Sequence, residues 1–453
     1  MKRILLLVAL ATTILTSYSQ ALDYNDLGLL FSKDNTNGTA RFNAMSGAFG
    51  ALGSDLSSTD INPAGAAVAR DSKFSVTLSN RNANLDVNYY GNTNNLQDEY
   101  FNISQAGGIF VFDIDNSNSS WNRFAFTFNY KMKADFDNLY SGRGNSNFLF
   151  YDQHIGDTNS PVNIFDGSIE QSFSNETRGL NSVFNIGISA VHDNKLFVGA
   201  SLKFHNLEFR ERSFLTEMND DVNGNILEVE DFRERFIEGN GFSFNLGFIY
   251  KLNKFIRLGA SYESPTWYQE VIEERAGSLT MFDVNNLGIT GVEDRFFEGP
   301  YSLRFTTPSR LTASGALVFG KQGLISVDYT YKDFQNFKYR EVDQELQDAN
   351  QFFRTDFRAT QKLSVGTEWR FDRVSLRGGY SYELDPNLVV GGNTNKDNIR
   401  AFSAGLGYNF GNTKIDLSYQ QSENRQFYSL YNTGDINIDN NISVVAATVT
   451  FSL

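Results

Sequence analysis

Three histidines are the first candidates for chemistry, because imidazole ligates metals and moves protons near neutral pH. His154, His192 and His205 stand 38 and 13 residues apart, and the chain has no H-x-x-x-H or H-E-x-x-H pair. That spacing puts no two of them on one face of an element, so they read as solvated or lumenal side chains rather than metal or haem ligands. A hydrolytic group built on His205 would also need a serine and a carboxylate or carboxamide partner, and nothing in its neighbourhood selects them. The loop after Asn219 partly matches a calcium-binding pattern. Asp221 and Asn223 occupy the third and fifth positions, Gly224 the sixth and Glu230 the twelfth. Asn219 stands where that pattern has Asp, and no helices flank the loop. Glu217, Asp220, Glu228, Asp231 and Glu234 also make chance matches easy. It reads as a solvated acidic face, with no metal site, no cofactor and no catalytic residue assigned.

The elements that carry these residues follow from composition. The 453 residues include no Cys, which removes disulfides, cysteine-ligated metals and thiol catalysis. The formal net charge of −14 argues against a nucleic-acid partner, which requires a basic footprint. Aromatic residues are the unusual feature: 41 Phe, 21 Tyr and 3 Trp stand beside 37 Gly and only 6 Pro. That mixture suits many strands bordered by rings and fits disorder poorly.

Lys2 and Arg3 precede an apolar stretch from Ile4 to Leu15, then small residues up to Ser19. This is the build of a cleaved secretory signal over residues 1–19, leaving Gln20 as the mature start. No later run reaches the roughly 20 apolar residues that a membrane helix requires.

Beyond residue 72 the chain alternates with period two, as strands with unlike faces do. Ile415, Leu417 and Tyr419 alternate with Asp416, Ser418 and Gln420; Phe242, Phe244, Leu246 and Phe248 alternate with Ser243, Asn245 and Gly247. Counting such segments gives about 14. Tight connections near Asn116–Ser120, Asp193–Lys195, Asn253–Lys254, Lys321–Gln322, Asp372–Arg373 and Gly411–Asn412 alternate with long polar excursions. The excursions lie near 82–100, 135–180, 211–237, 268–306, 337–358, 385–398 and 424–440. Alternating short turns and long loops mark an outer-membrane barrel. Rings sort to strand ends: Tyr130, Tyr262, Tyr329 and Tyr419 at one, and Tyr250, Trp369, Phe410 and Phe451 at the other. These are two interfacial belts. Arg257, Glu263, Glu368, Arg370 and Arg377 must then face the lumen, since Arg at the lipid midplane costs roughly 2–4 kcal/mol. The fold expected is all-β, a 14-stranded antiparallel transmembrane β-barrel over residues 73–453.

Residues 20–72 do not alternate. A Gly/Ala/Ser-rich run from Ala40 to Ala69 ends in Asp60-Ile61-Asn62-Pro63-Ala64-Gly65. A barrel this wide must leave its lumen open or fill it, and this segment suits an N-terminal plug, or hatch; a periplasmic tail is the alternative. The run GAFGALGSDLSSTDINPAGAA resembles the hatch signature of the OmpP1/FadL/TodX family of outer-membrane transporters, with its Asn-Pro-Ala motif matched by Asn62, Pro63 and Ala64. The resemblance implies passive uptake of hydrophobic molecules such as long-chain fatty acids or aromatic hydrocarbons. It also implies a lateral gap beside a kinked third strand, whereas Trp121 to Ala134 here contains no Gly or Pro.

On the residues and the resemblance together, Asn62, Pro63 and Ala64 are expected to be the gating pivot, and Phe31, Phe49 and Leu52 the ligand contacts. The partners expected are hydrophobic small molecules, outer-membrane lipid and lipopolysaccharide, and the barrel-assembly machinery, which would meet the apolar last strand from Ile442 to Leu453. The alternative function is an interaction partner in outer-membrane protein secretion, with the long loops holding cargo.

Overall fold

In the computed structural model, residues 22–114, 119–157, 161–284, 292–340, 343–388, 396–431 and 434–453 are described. The signal expected at residues 1–19, and most of the first tight connection, lie outside them.

One antiparallel sheet closes on itself. Its first half comprises β1 (Lys73–Tyr89), β2 (Asn92–Asp113), β3 (Trp121–Asp135), β4 (Asn138–Gly144), β5 (Gly167–His192), β6 (Leu196–Asp220), β7 (Ile226–Lys251), β8 (Ile256–Glu263) and β9 (Trp267–Asp283). The second comprises β10 (Val292–Thr306), β11 (Arg310–Phe319), β12 (Gly323–Asp333), β13 (Lys338–Tyr339), β14 (Ala359–Phe371), β15 (Val374–Glu383), β16 (Ile399–Asn409), β17 (Thr413–Tyr431) and β18 (Gly434–Ser452). The pairs β3/β4, β8/β9 and β10/β11 are single staves with a break, and β13 is a bridge within a loop. The barrel therefore has 14 staves, as the alternation anticipates. It closes where β1 pairs with β18, from Lys73 opposite Ser452 to Tyr89 opposite Ile436. No described helix is long and apolar enough to cross a membrane.

Two of the breaks have one physical cause. Pro265 separates β8 from β9 and Pro308 separates β10 from β11, and a proline cannot donate to a ladder. They fall side by side: Thr307 N donates to Thr266 O, and Thr266 N to the Thr307 hydroxyl. The third break, at Phe136–Asp137, needs no proline. There the β2–β3 ladder has already ended at Gln105–Lys131, while β3 stays paired with β5 as far as Asp135. The third stave is thus interrupted although it lacks Gly or Pro within Trp121–Ala134.

The alternation reads out directly as faces. Leu246, Leu258, Leu417 and Tyr419 are exposed on the outside, whereas Asn245, Asp416 and Ser418 are buried within. Tyr130, Tyr262 and Tyr329 ring the outer surface toward the long-loop end, and Tyr250, Trp369 and Phe410 toward the short-turn end.

The long excursions are more ordered than their polarity suggests. Residues 82–100, 211–237 and 268–306 are largely strand, continuing the β1–β2, β6–β7 and β9–β10 hairpins upward. Several of their inward positions are apolar and buried, among them Leu85, Val87, Tyr89 and Leu215, which cluster with Ile436 and Ile438 of β18 around Tyr140 and Phe173. Polar outward residues hide this pattern, because above the membrane the outer face meets water. The 337–358 excursion differs again, folding into helix α4 (Gln344–Asp356), which is numbered here after the hatch helices α1 to α3 described below. Its N-cap Asp343 accepts from Glu345 N, and Leu346, Ala349 and Phe353 form its buried stripe.

Candidate functional site between hatch and wall

The N-terminal segment fills the lumen as a hatch. It runs through α1 (Tyr24–Ser32), α2 (Ala40–Asn43), α3 (Ser58–Ile61) and a 3-10 turn, Pro63–Val68. Its first helix lies at the long-loop end. There Phe31 is buried with ring centroids 5.6 Å from Phe136, 5.5 Å from Phe209 and 5.8 Å from Phe305. Tyr24, Leu27, Tyr268, Phe337 and Phe353 extend this aromatic cluster across the upper lumen. Gly28 allows the close approach of α1 to α4, since a Cβ there would sit 2.5 Å from the Phe353 ring.

Below the rings the lining turns ionic. Asp34 of the hatch faces Lys332 at 2.8 Å, Lys133 at 3.3 Å and Arg310 at 3.7 Å. Glu263 pairs with Lys203 at 2.6 Å and with Arg310. Asp60 accepts from Asn129 and Asn185 at 3.0 Å each, with Lys131 at 3.6 Å. These groups surround a cavity of about 90 Å³, room for a few waters. His205 opens onto it, its Nε2 2.8 Å from the Ser243 hydroxyl. Charges at this depth keep their hydration or pair, since burial of an isolated ion costs far more than any single contact returns.

Asn62, Pro63 and Ala64 lie against the wall lower down. Asn62 Nδ2 donates to Gly50 O at 2.8 Å and to Phe248 O at 2.9 Å, while its Oδ1 accepts from Ala64 N at 3.2 Å. Asn62 thus ends α3 and caps the turn that Pro63 begins, where proline's missing N–H is no loss. The wall is flat here for a reason: a Cβ at Gly247 would sit 2.2 Å from Asn62 Oδ1, and one at Gly199 2.5 Å from Ala64 N.

Phe49 and Leu52 belong to a separate group with Phe42, Met45, Ala51, Ala316 and Leu324. Asp328 of β12 fixes it by accepting from Phe49 N at 2.9 Å and Gly50 N at 2.8 Å. Of the residues expected to contact ligand, the structure brings Phe49 and Leu52 together and places Phe31 in the upper cluster. The ionic groups Asp34, Asp60, Lys133 and Lys332 were not singled out from sequence. Lys131, Lys133 and Lys203 do sit at inward positions, but Asp34 meets Lys332 across 298 residues, with no local trace.

The other candidates stay apart. His154 is buried in its loop and accepts from Gly156 N, rather than being solvated. His192 packs edge-on against Trp121 at the short-turn end. Asp221 Oδ1 accepts from Asn223 N and Asn225 N at 2.8 Å each, so the turn's own amides occupy the carboxylate. No group of three or more metal-ligating side chains exists among the described residues.

A closed antiparallel barrel with two aromatic belts, alternating short turns and tall hairpins, and a plugged lumen defines an outer-membrane transport channel. The sequence bears this out over residues 191–452, which match the model of the outer membrane protein transport protein family (OMPP1/FadL/TodX). The chain belongs to that family. The match begins at Val191, so the hatch lies outside it.

Solved structures share the fold at low identity. A Pseudomonas aeruginosa FadL homologue is similar at TM-score 0.58 and 13% identity, covering 92% of this chain and 99% of its own. The Pseudomonas putida toluene transporter TodX is similar at TM-score 0.55 and 15% identity, with the same coverage. The CymD monoaromatic hydrocarbon channel is similar at TM-score 0.55 and 13% identity, covering 93% and 99%. A comparison with curated proteins gives no match.

Proposed function

We propose that this barrel admits hydrophobic molecules, long-chain fatty acids or aromatic hydrocarbons, by ligand-driven movement of the hatch. One observation carries the reading: Phe31, on a hatch helix, packs against the rings of Phe136, Phe209 and Phe305 in the aromatic cluster of the upper lumen. An apolar molecule arriving from outside would partition among those rings, and it could enter only by displacing α1. Shifting apolar contacts from Phe31 to ligand makes the displacement nearly neutral in buried area. Phe49 and Leu52 then supply the next apolar surface, below the ionic chamber.

Asn62, Pro63 and Ala64 act as the pivot in this reading, the fixed point about which the rest of the hatch turns. Their hydrogen bonds to the wall support a pivot rather than a moving tip. A lateral way out is supported where the β2–β3 ladder stops at Gln105–Lys131. Phe101 and Ile103 lie just beyond on the outer face.

Liposomes carrying the mature chain test the proposal with two substrates, radiolabelled palmitate and toluene. Saturable entry of either, slowed in the Asn62→Ala/Pro63→Ala double variant while heat-modifiable barrel migration stays normal, supports it. Uptake equal to protein-free vesicles for both rules it out.

A further inference from the structure

A second cavity, of about 350 Å³, opens at the short-turn end between hatch and wall. Six cations line it: Arg41 and Arg70 from the hatch, Lys73 at the start of β1, Arg257 on β8, Lys321 in the β11–β12 turn and Arg370 on β14. Asp71 is the single acid among the lining residues. This surplus runs against a chain whose net charge is −14.

Internal pairing does not account for it. Glu368, just behind the lining, is shared by three guanidiniums, with Arg41 at 2.7 Å and Arg370 and Arg377 at 2.6 Å each. Lys73 and Arg257 are instead held on main-chain carbonyls, Ser54 O at 2.9 Å and Leu52 O at 3.0 Å. Arg70 and Lys321 are exposed at the rim and make no ion pair among the described residues. Like charges gathered with too few counter-charges repel one another, and an entering anion relieves that. Leu52, Val68, Val318 and Leu324 interleave with these cations in the lining and supply its apolar surface.

We propose that this mouth binds the oxyanion headgroup of an amphiphile, a carboxylate or phosphate monoester. Guanidiniums take such groups in two-point hydrogen bonds, and the apolar surface takes the first methylenes of the chain. The volume suits a headgroup with a short alkyl stem. The site lies at the opposite end of the lumen from the Phe31 cluster and needs no movement of the hatch, so it stands or falls separately from uptake.

Calorimetric titration of the purified mature chain in non-ionic detergent tests it, with hexyl phosphate and inorganic phosphate as separate probes. Hexyl phosphate should bind saturably, about tenfold tighter than inorganic phosphate, because its stem reaches the apolar surface. The Arg70→Gln/Lys321→Gln double variant, altered only at exposed rim positions, should weaken it about tenfold. Lys254→Gln, exposed on a turn outside the cavity, should change it less than about twofold. Equal affinity for the two probes overturns the amphiphile assignment in favour of a free anion. No saturable binding, or binding unchanged in the double variant, overturns the site.

Discussion

Asn62 reaches from the hatch to the main chain of the wall, its amide nitrogen 2.9 Å from Phe248 O. The contact exists because Gly247, the residue before Phe248, has no Cβ to fill the gap. Gly247→Val should therefore push the hatch turn off β7 while leaving the outer face of the strand intact. Hatch cleavage by added protease should rise, with unchanged barrel migration in heat-modifiability gels. A hatch as protected as in the parent would show that the turn is held from elsewhere.

Phe31 should be the costliest single truncation in the hatch. Phe31→Ala removes a fully buried ring that touches three others, a change worth about 3–5 kcal/mol in well-packed interiors. Urea unfolding followed by Trp fluorescence would register the loss. Leakage of a small apolar dye through reconstituted barrels should increase alongside.

The lipid face offers a sharper test of register. Leu246→Arg places a cation against acyl chains and should cost roughly 2–4 kcal/mol. Asn245→Arg, on the lumenal side, is no mild control: Asn245 is buried against Asp60 O and Ile61 O of the hatch, both at 3.1 Å. Its cost should appear as hatch release, whereas Leu246→Arg should impair barrel folding itself. Identical phenotypes would mean the faces are misassigned.

Topology can be read by labelling, since the chain has no native Cys. Val222 is 89% exposed at the tip of the β6–β7 hairpin, and Asn194 lies in the turn before β6. An impermeant thiol reagent on intact cells should mark Val222→Cys and spare Asn194→Cys. Asn219, in the same excursion as Val222, is buried and would label poorly on either side.

Docking of α1 should depend on pH. Burial, followed by the nearby Asp23 charge, pushes the Asp26 carboxyl up to about 7. In the unfolded chain an aspartate ionises near 3.9. The folded state thus holds the proton more tightly, so its contribution is complete below about pH 4 and fades as pH rises through about 7. Amide exchange in α1, corrected for intrinsic rates, should be slower at pH 5 than at pH 8. Asp26→Asn should flatten the difference.

Alternation carried the barrel because each wall residue faces one of two unlike solvents, so Leu417 and Asp416 announce their sides without any partner. That logic weakens above the membrane, where Leu85 and Val87 still point inward but the outer face meets water and polar residues blur the strand. It fails inside the hatch, whose environment is set by residues hundreds of positions away. Asn62-Pro63-Ala64 was legible as a turn because its chemistry is local. That Phe31 and Phe49 enter different clusters was not, since both are simply apolar in the chain.

The seam between β1 and β18 has a consequence for assembly. The hatch precedes β1 directly, and its α1 end is tied at the far end of the lumen, where Leu22 N donates to Glu211 at 2.7 Å. A finished cylinder would have to swallow that folded plug, with Asp34 and Arg41 stripped of water on the way, against their counter-charges on the inner wall. Zipping Lys73 to Ser452 as the last step avoids the passage altogether. On that order the staves would curl around a hatch already in place, with the pairing of first and last strands left to close the wall behind it.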